Sequence, residues 1–499
     1  MLDNMAAKTC SSAVRAMKSR GLVALTAALL GIGWAGGVDA QNANLSATPQ
    51  SGDIPVFTER YDPAEFCADG SGDGPCDVAP VDVPEFDASF VYRFLAYHAQ
   101  RPFDRFSWQA FTALMSPRRP SDVASPKAVW EGFPTKRDVF KTVALPNQAC
   151  AADLPEGHLL LASYVQSSGD ILIDQAGNFV LFETRINPAA ANYIRDNGLD
   201  HANGRAGFAA SGQEISFPVG QLGHVINSSP VASVDGAASS IPHAAPGEMG
   251  AQTLKFAWRI LPDTDAAHEA SYYTKPARIA LVADQTLDGK PTCLDVTVGL
   301  VGLHIVQRVA SGNGDRWIWA SFEHVDNVPL AANARRPNSI ITDDPFPVGC
   351  LAPMDQTGDF AFFGGKTANG KAANQALAQD VKWAADAPYA RTVDGDVVVG
   401  PDIVRCWRLF SGTAETNFVW QDKLSDTIWQ NYMLLGTQWI GNPGGAPFGV
   451  GEVPRFLTNS TLESFTQHHS DATCLGCHNS ATTDAGQNAN FTFLLDPDM

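Results

Sequence analysis

Near the end of the 499-residue chain, Cys474-Leu475-Gly476-Cys477-His478 sets two thiols three positions apart, with an imidazole directly after the second. Three chemistries use such a set. A zinc site needs four ligands in a tetrahedron, so His468 or His469 would have to join, and the adjacent Cys477 and His478 fit a closed tetrahedron poorly. A redox dithiol belongs between a strand and a helix at the start of a βαβ unit, whereas this pair closes the chain. Covalent haem attachment uses the spacing directly. Two thiols meet the two vinyl groups on one porphyrin edge, and the histidine that follows swings beneath the iron. The spacing therefore points to one covalent haem c, with thioethers at Cys474 and Cys477 and His478 as the proximal ligand of the iron.

Only 21 residues follow His478, and their sole methionine is the terminal Met499. The pocket must then be completed by chain that comes before the motif. Either the C-terminal segment packs on a larger domain, or that domain supplies the other haem face. His304 is the first candidate for the distal side. Asn313-Gly314 is a two-residue hairpin signal, and centring the turn there sets His304 opposite Glu323. A carboxylate so placed would fix the imidazole's tautomer and raise its basicity. A structural pair within a sheet would look the same, and a slip in the turn would break the pairing. His324, Met354, Met433, His468 and His469 are further distal candidates, with Met433 read on a helix.

Residues 1–40 carry the marks of an address. Lys8, Arg15, Lys18 and Arg20 precede the apolar stretch GLVALTAALLGIGWA, and small residues end at Ala40. This predicts a signal peptide, export and a periplasmic or otherwise exported bacterial location. No later stretch is apolar for long enough to span a bilayer. The chain is acidic, with 34 basic against 53 acidic side chains and a net charge of −19. It has no basic stripe, which argues against nucleic acid as a partner. Beyond Cys10 and the motif, six of the nine cysteines remain. In an oxidising compartment they predict up to three disulfides. Cys67–Cys76 is the simplest pair, and Cys150, Cys293, Cys350 and Cys406 leave three pairings open.

The elements that must position these groups read as α+β: a large antiparallel β-rich domain, then a small helical C-terminal haem c segment. Residues 41–85 form a Pro-, Asp- and Gly-rich arm. Residues 86–400 begin with two short amphipathic helices, with Asp104 capping the second. Short β-branched or aromatic runs then extend from 157 to 327, interrupted by a helix from Asn187-Pro188 to about Gly198. Residues 401–499 read as helical, with a patch at SDTIWQNYMLLG and a short helix whose capping box is Ser460 and Glu463. The acidic loop at Asp69–Asp77 has offsets resembling an EF-hand, but Pro80 replaces the twelfth-position Glu.

Four segments resemble a set of bacterial exported cytochrome c family proteins. They are SWQAFTAL at Ser107–Leu114, GLVGLHIV at Gly299–Val306, Trp317–Pro329, and Thr461–His478 with the CxxCH. The resemblance spans most of the chain after residue 40. It implies haem binding and electron transfer with unidentified redox partner proteins, and it implies no substrate. The alternative is a haem-dependent redox enzyme, peroxidase- or oxidase-like, with its substrate site in the β-rich domain. A third reading makes the β domain a ligand-binding module.

Overall fold

The computed structural model describes residues 79–83, 96–116, 127–140, 145–220, 248–262, 270–310, 316–337, 349–354, 358–440, 456–469 and 472–496. The signal segment, the Cys67–Cys76 pairing, the acidic loop up to Asp77 and the Asn313-Gly314 turn lie outside these residues.

The fold is α+β, organised on one curled seven-stranded sheet. Its members are β1 (Leu159–Leu161), β2 (Val180–Ile186), β3 (Gln252–Ile260), β4 (Thr274–Leu281), β5 (Thr292–Val309), β6 (Arg316–His324) and β11 (Tyr432–Ile440). The 18-residue β5 is the spine. Its first half pairs with β4, its second half with β6, and β3 runs along the other edge. All pairs in this sheet are antiparallel except β1 with β4. Two small sheets stand apart: β7 (Leu330–Arg335) with β10 (Arg405–Trp407), and β8 (Val381–Trp383) with β9 (Ala390–Thr392).

Successive side chains on a strand point to opposite faces, and the sheet uses both. Leu254, Phe256, Leu303, Ile305, Ala320, Phe322 and Leu434 turn to the main core. There they meet Trp108 and Phe111 of helix α1 (Ala96–Met115) and Trp420 of a later helix (Ser411–Lys423). The alternate residues Val306, Trp317 and Trp319 turn to the opposite face. They cluster with Leu475, Phe491, Leu494 and Leu495 from the chain end. The C-terminal segment is thus a lid on the second face of the sheet.

The remaining helices are α2 (Lys136–Val139), α3 (Pro188–Asp196), α4 (Ala202–Ala210), α5 (Ser411–Lys423) and α6 (Cys474–His478). Helix α3 starts as expected: Asn187 accepts from the amide of Ala190, and Pro188 occupies the first turn.

Three local expectations change. Asp104 caps nothing, because α1 runs through it as one helix. Its buried carboxylate instead accepts from Gln100 Nε2 at 2.9 Å and from Thr413 Oγ1 at 2.6 Å, joining α1 to α5. Residues 432–440, including Met433, form strand β11 rather than helix. Pairing with the whole of β6 overrides the local pattern. The segment around Ser460 is a chain of turns, not a helix. Glu463 reaches back to the amide of Asn459 at 2.9 Å, while the Ser460 hydroxyl donates to Glu323 at 2.6 Å.

Among the described residues, Cys150 pairs with Cys293 and Cys350 with Cys406, which settles the three open pairings. Among the described residues, no helix is long and apolar enough to cross a membrane.

Candidate functional site

The motif residues open on a cavity of about 930 Å³, laid across the second face of the sheet. Its size is near the upper end of ordinary ligand sites. The floor crosses four strands: Phe182 and Thr184 on β2, Thr253 and Lys255 on β3, His304 and Val306 on β5, Trp317 and Trp319 on β6. Cys474, Cys477, His478 and Phe493 close one end. Ser163, Ser167 and Ser168, with Lys136 and Arg137 of α2, also line the cavity.

His478 is held on three sides. Its ring packs on Trp319, with centroids 4.2 Å apart, and on Phe493 at 4.9 Å. Nδ1 lies 2.9 Å from the carbonyl oxygen of Phe491. A carbonyl only accepts, so Nδ1 carries the proton and Nε2 keeps its lone pair. Burial pushes the imidazole pKa down to about 3, so the ring is neutral at ordinary pH. A neutral imidazole with one nitrogen tied to a carbonyl is the form that ligates metals.

The carbonyl is itself positioned. Asn490 and Phe491 both take positive φ, 54° and 63°, a turn that side chains other than Gly adopt at some cost. Asn490 Oδ1 accepts from Arg308 Nη1 and Trp317 Nε1, both at 3.0 Å. The sheet therefore fixes the turn that orients His478. No spacing rule points to Asn490 or Phe491, which is why sequence reasoning misses them.

Cys474 is a free thiol packed near Met433 and Leu457, and burial pushes its pKa well up. Cys477 is disulfide-bonded, so its sulfur is not a free thiol. Among the described residues, no group of three or more His, Cys, Asp or Glu is placed to hold a metal ion by itself.

His304 lies on the cavity floor, but its expected partner is different. The observed register sets His304 opposite Ser321 and Glu323 opposite Gly302, two positions from the hairpin expectation. Glu323 does not line the cavity. Its carboxylate is fully buried, held by Arg405 Nη2 at 2.6 Å and by Ser460. A two-residue shift keeps both side chains on one face, so alternation alone could not reveal it.

The partner of His304 is Glu463, with Nε2 to Oε2 at 3.4 Å. His304 is 7% exposed, and Nε2 has no hydrogen-bond partner. Burial works to raise the Glu463 carboxyl, but His304, Lys255 and the Asn459 amide outweigh it and hold it below its ordinary value. Lys255 stands directly opposite His304 across the β3–β5 pair. The sequence marked Glu463 as a capping residue. Its reach to Asn459 is what brings the carboxylate to the cavity.

The other distal candidates separate clearly. His468 and His469 line the cavity. His324 is fully buried elsewhere, stacked on Tyr272 and bonded to the Ser271 carbonyl. Met354 is 59% exposed. Met433 packs with Leu435 and Leu457.

The residues present suit a covalently held haem. Two cysteines and a neutral, tethered imidazole line one cavity with aromatic and aliphatic side chains, and a second buried imidazole, His304, stands on its floor without a hydrogen bond at Nε2. No family model matches this chain, and no curated protein or solved structure shows significant similarity to it.

Proposed function

We propose that this chain is an exported monohaem c-type cytochrome whose work is electron transfer. The observation that carries the reading is the meeting of the CxxCH residues at the cavity, with the His478 tautomer set by Phe491. When bound, haem supplies a one-electron iron couple in a mostly apolar setting.

The chain's own residues do the rest. Cys474 and Cys477 supply the sulfurs of the two thioethers. One sulfur cannot hold both a disulfide and a thioether, so attachment proceeds from the chain with Cys477 reduced. His478 presents Nε2, while Phe491 keeps the proton on Nδ1. Trp319 and Phe493 pack the imidazole and keep water from it. The two disulfides and the basic–apolar leader support an oxidising, exported setting, with the periplasm as the compartment. The redox partners are proteins.

A specific observation favours a second reading. The cavity also takes in His304 and Glu463, and this buried imidazole–carboxylate pair suits a distal site in a haem-dependent redox enzyme. The test is an optical spectrum of mature protein made in a host that attaches haem c, reduced with and without carbon monoxide. A low-spin spectrum indifferent to carbon monoxide supports the electron carrier. Ready carbon monoxide binding that changes in His304→Ala supports the enzyme. Protein without covalent haem overturns both.

A further inference from the structure

The cavity wall carries two cations that no carboxylate neutralises directly. Lys255 sits on the floor at β3, with its chain over the Phe182 ring and its Nζ 5.9 Å from the ring centroid. Arg137 of α2 also lines the cavity, and its Nη2 donates to the Leu160 carbonyl at 2.7 Å. Both are half-buried. Among the described residues neither forms an ion pair. Other cations on strands do: Arg259 with Asp174, Lys275 with Glu131, Arg405 with Glu323. Two carboxylates that act on them from a distance have other partners. Glu463 faces His304 and the Asn459 amide, and Glu183 is held by Arg185.

Burial depresses the pKa of both groups, against the partial opposition of Glu463 for Lys255 and of Glu183 and Asp138 for Arg137. A cation removed from water without a counter-charge is costly. Two such cations facing one cavity are a receptor for a molecule with two carboxylates.

We propose that Lys255 and Arg137 receive a pair of carboxylates in this cavity, and that these are the two propionates of the haem. The inference rests on the haem reading above. The same chemistry would suit a free dicarboxylic acid, so the experiment must separate the sources. Positive charge beside the propionates favours the reduced haem, which carries one unit less positive charge. Lys255 and Arg137 would thus position the cofactor and raise its reduction potential.

The test uses mature holoprotein and the variants Lys255→Gln, Arg137→Gln and the double variant. Covalent haem is counted first by mass, which tests the haem reading separately. The potential is then measured by redox titration, and the propionate bending bands by low-frequency resonance Raman. The expected result is a potential lowered in each single variant and lower still in the double, with shifted propionate bands. Lys255→Arg and Arg137→Lys keep the charge and should restore the potential while shifting the propionate bands, because the hydrogen-bond geometry differs; if the Gln variants fail to mature, these two carry the test. Unchanged potential and bands in variants that hold haem would overturn the proposal. So would succinate binding to the wild-type holoprotein by calorimetry that is lost in the double variant with the potential unmoved, since the cations would then serve a free acid.

Discussion

At the residue scale, the site depends on which sulfur and which nitrogen are available. Each thioether saturates one vinyl group and removes it from conjugation with the porphyrin. Cys477→Ala should leave at most one thioether, lower the yield of covalent haem, and move the reduced α band to longer wavelength. An unchanged band with full yield would remove Cys477 from the attachment. His478 is a different case. Its neutral state is set by burial and its tautomer by one carbonyl, so its readiness to ligate depends on the turn at Asn490 as much as on its own identity. The CxxCH set was legible in the sequence because it is a fixed spacing within five residues. Glu463 as the partner of His304 was not, because that contact joins residues 159 positions apart.

At the element scale, the joint between α1 and α5 is a buried acid. Burial raises the Asp104 carboxyl from 3.8 to about 6, although Thr413, Gln100 and Thr437 act to lower it. Between those pH values the folded chain holds a proton that the unfolded chain has lost. The associated stability is complete below about pH 4 and is lost as pH rises through 6, a span worth about 3 kcal/mol. Asp104→Asn cannot titrate, and its amide can keep the contacts to Gln100 and Thr413. Its urea midpoint should therefore lack the fall between pH 4 and 6 that the wild type shows. Parallel slopes in the two proteins would show that Asp104 ionises freely. The same residue shows where local reading reached its limit. Asp before an apolar periodic run is a good cap signal, but tertiary partners on α5 gave the carboxylate another use. The strand β11 is the matching case: its sequence is compatible with helix, and β6 decided it.

At the scale of the whole molecule, Cys150–Cys293 ties the segment before β1 to the start of β5, closing a sequence separation of 143 residues; Cys350–Cys406 closes 56. Loop-closure entropy makes the longer crosslink the more stabilising. Replacing both Cys150 and Cys293 by Ser should lower unfolding stability by about 3–5 kcal/mol. The Cys350/Cys406 double replacement should cost less by chemical denaturation. The reverse order would mean that native-state packing around each bridge, not chain entropy, sets its contribution. The molecule is also asymmetric in use. One sheet face is filled by α1 and α5, while the other carries the cavity under the C-terminal segment.

By itself the sequence determined the CxxCH spacing, the α+β class, most strands of the main sheet and the helix that starts at Pro188. Each of these follows from periodicity, capping or covalent chemistry within a short window. Only the tertiary structure decided the cavity, the disulfide partners, the β5–β6 register, and the gathering of Lys255, His304 and Glu463 beside His478. The physical reason is that a sheet face is assembled from strands distant in the chain. Alternation tells each strand which side chains share a face, but only the pairing of strands decides which of them meet.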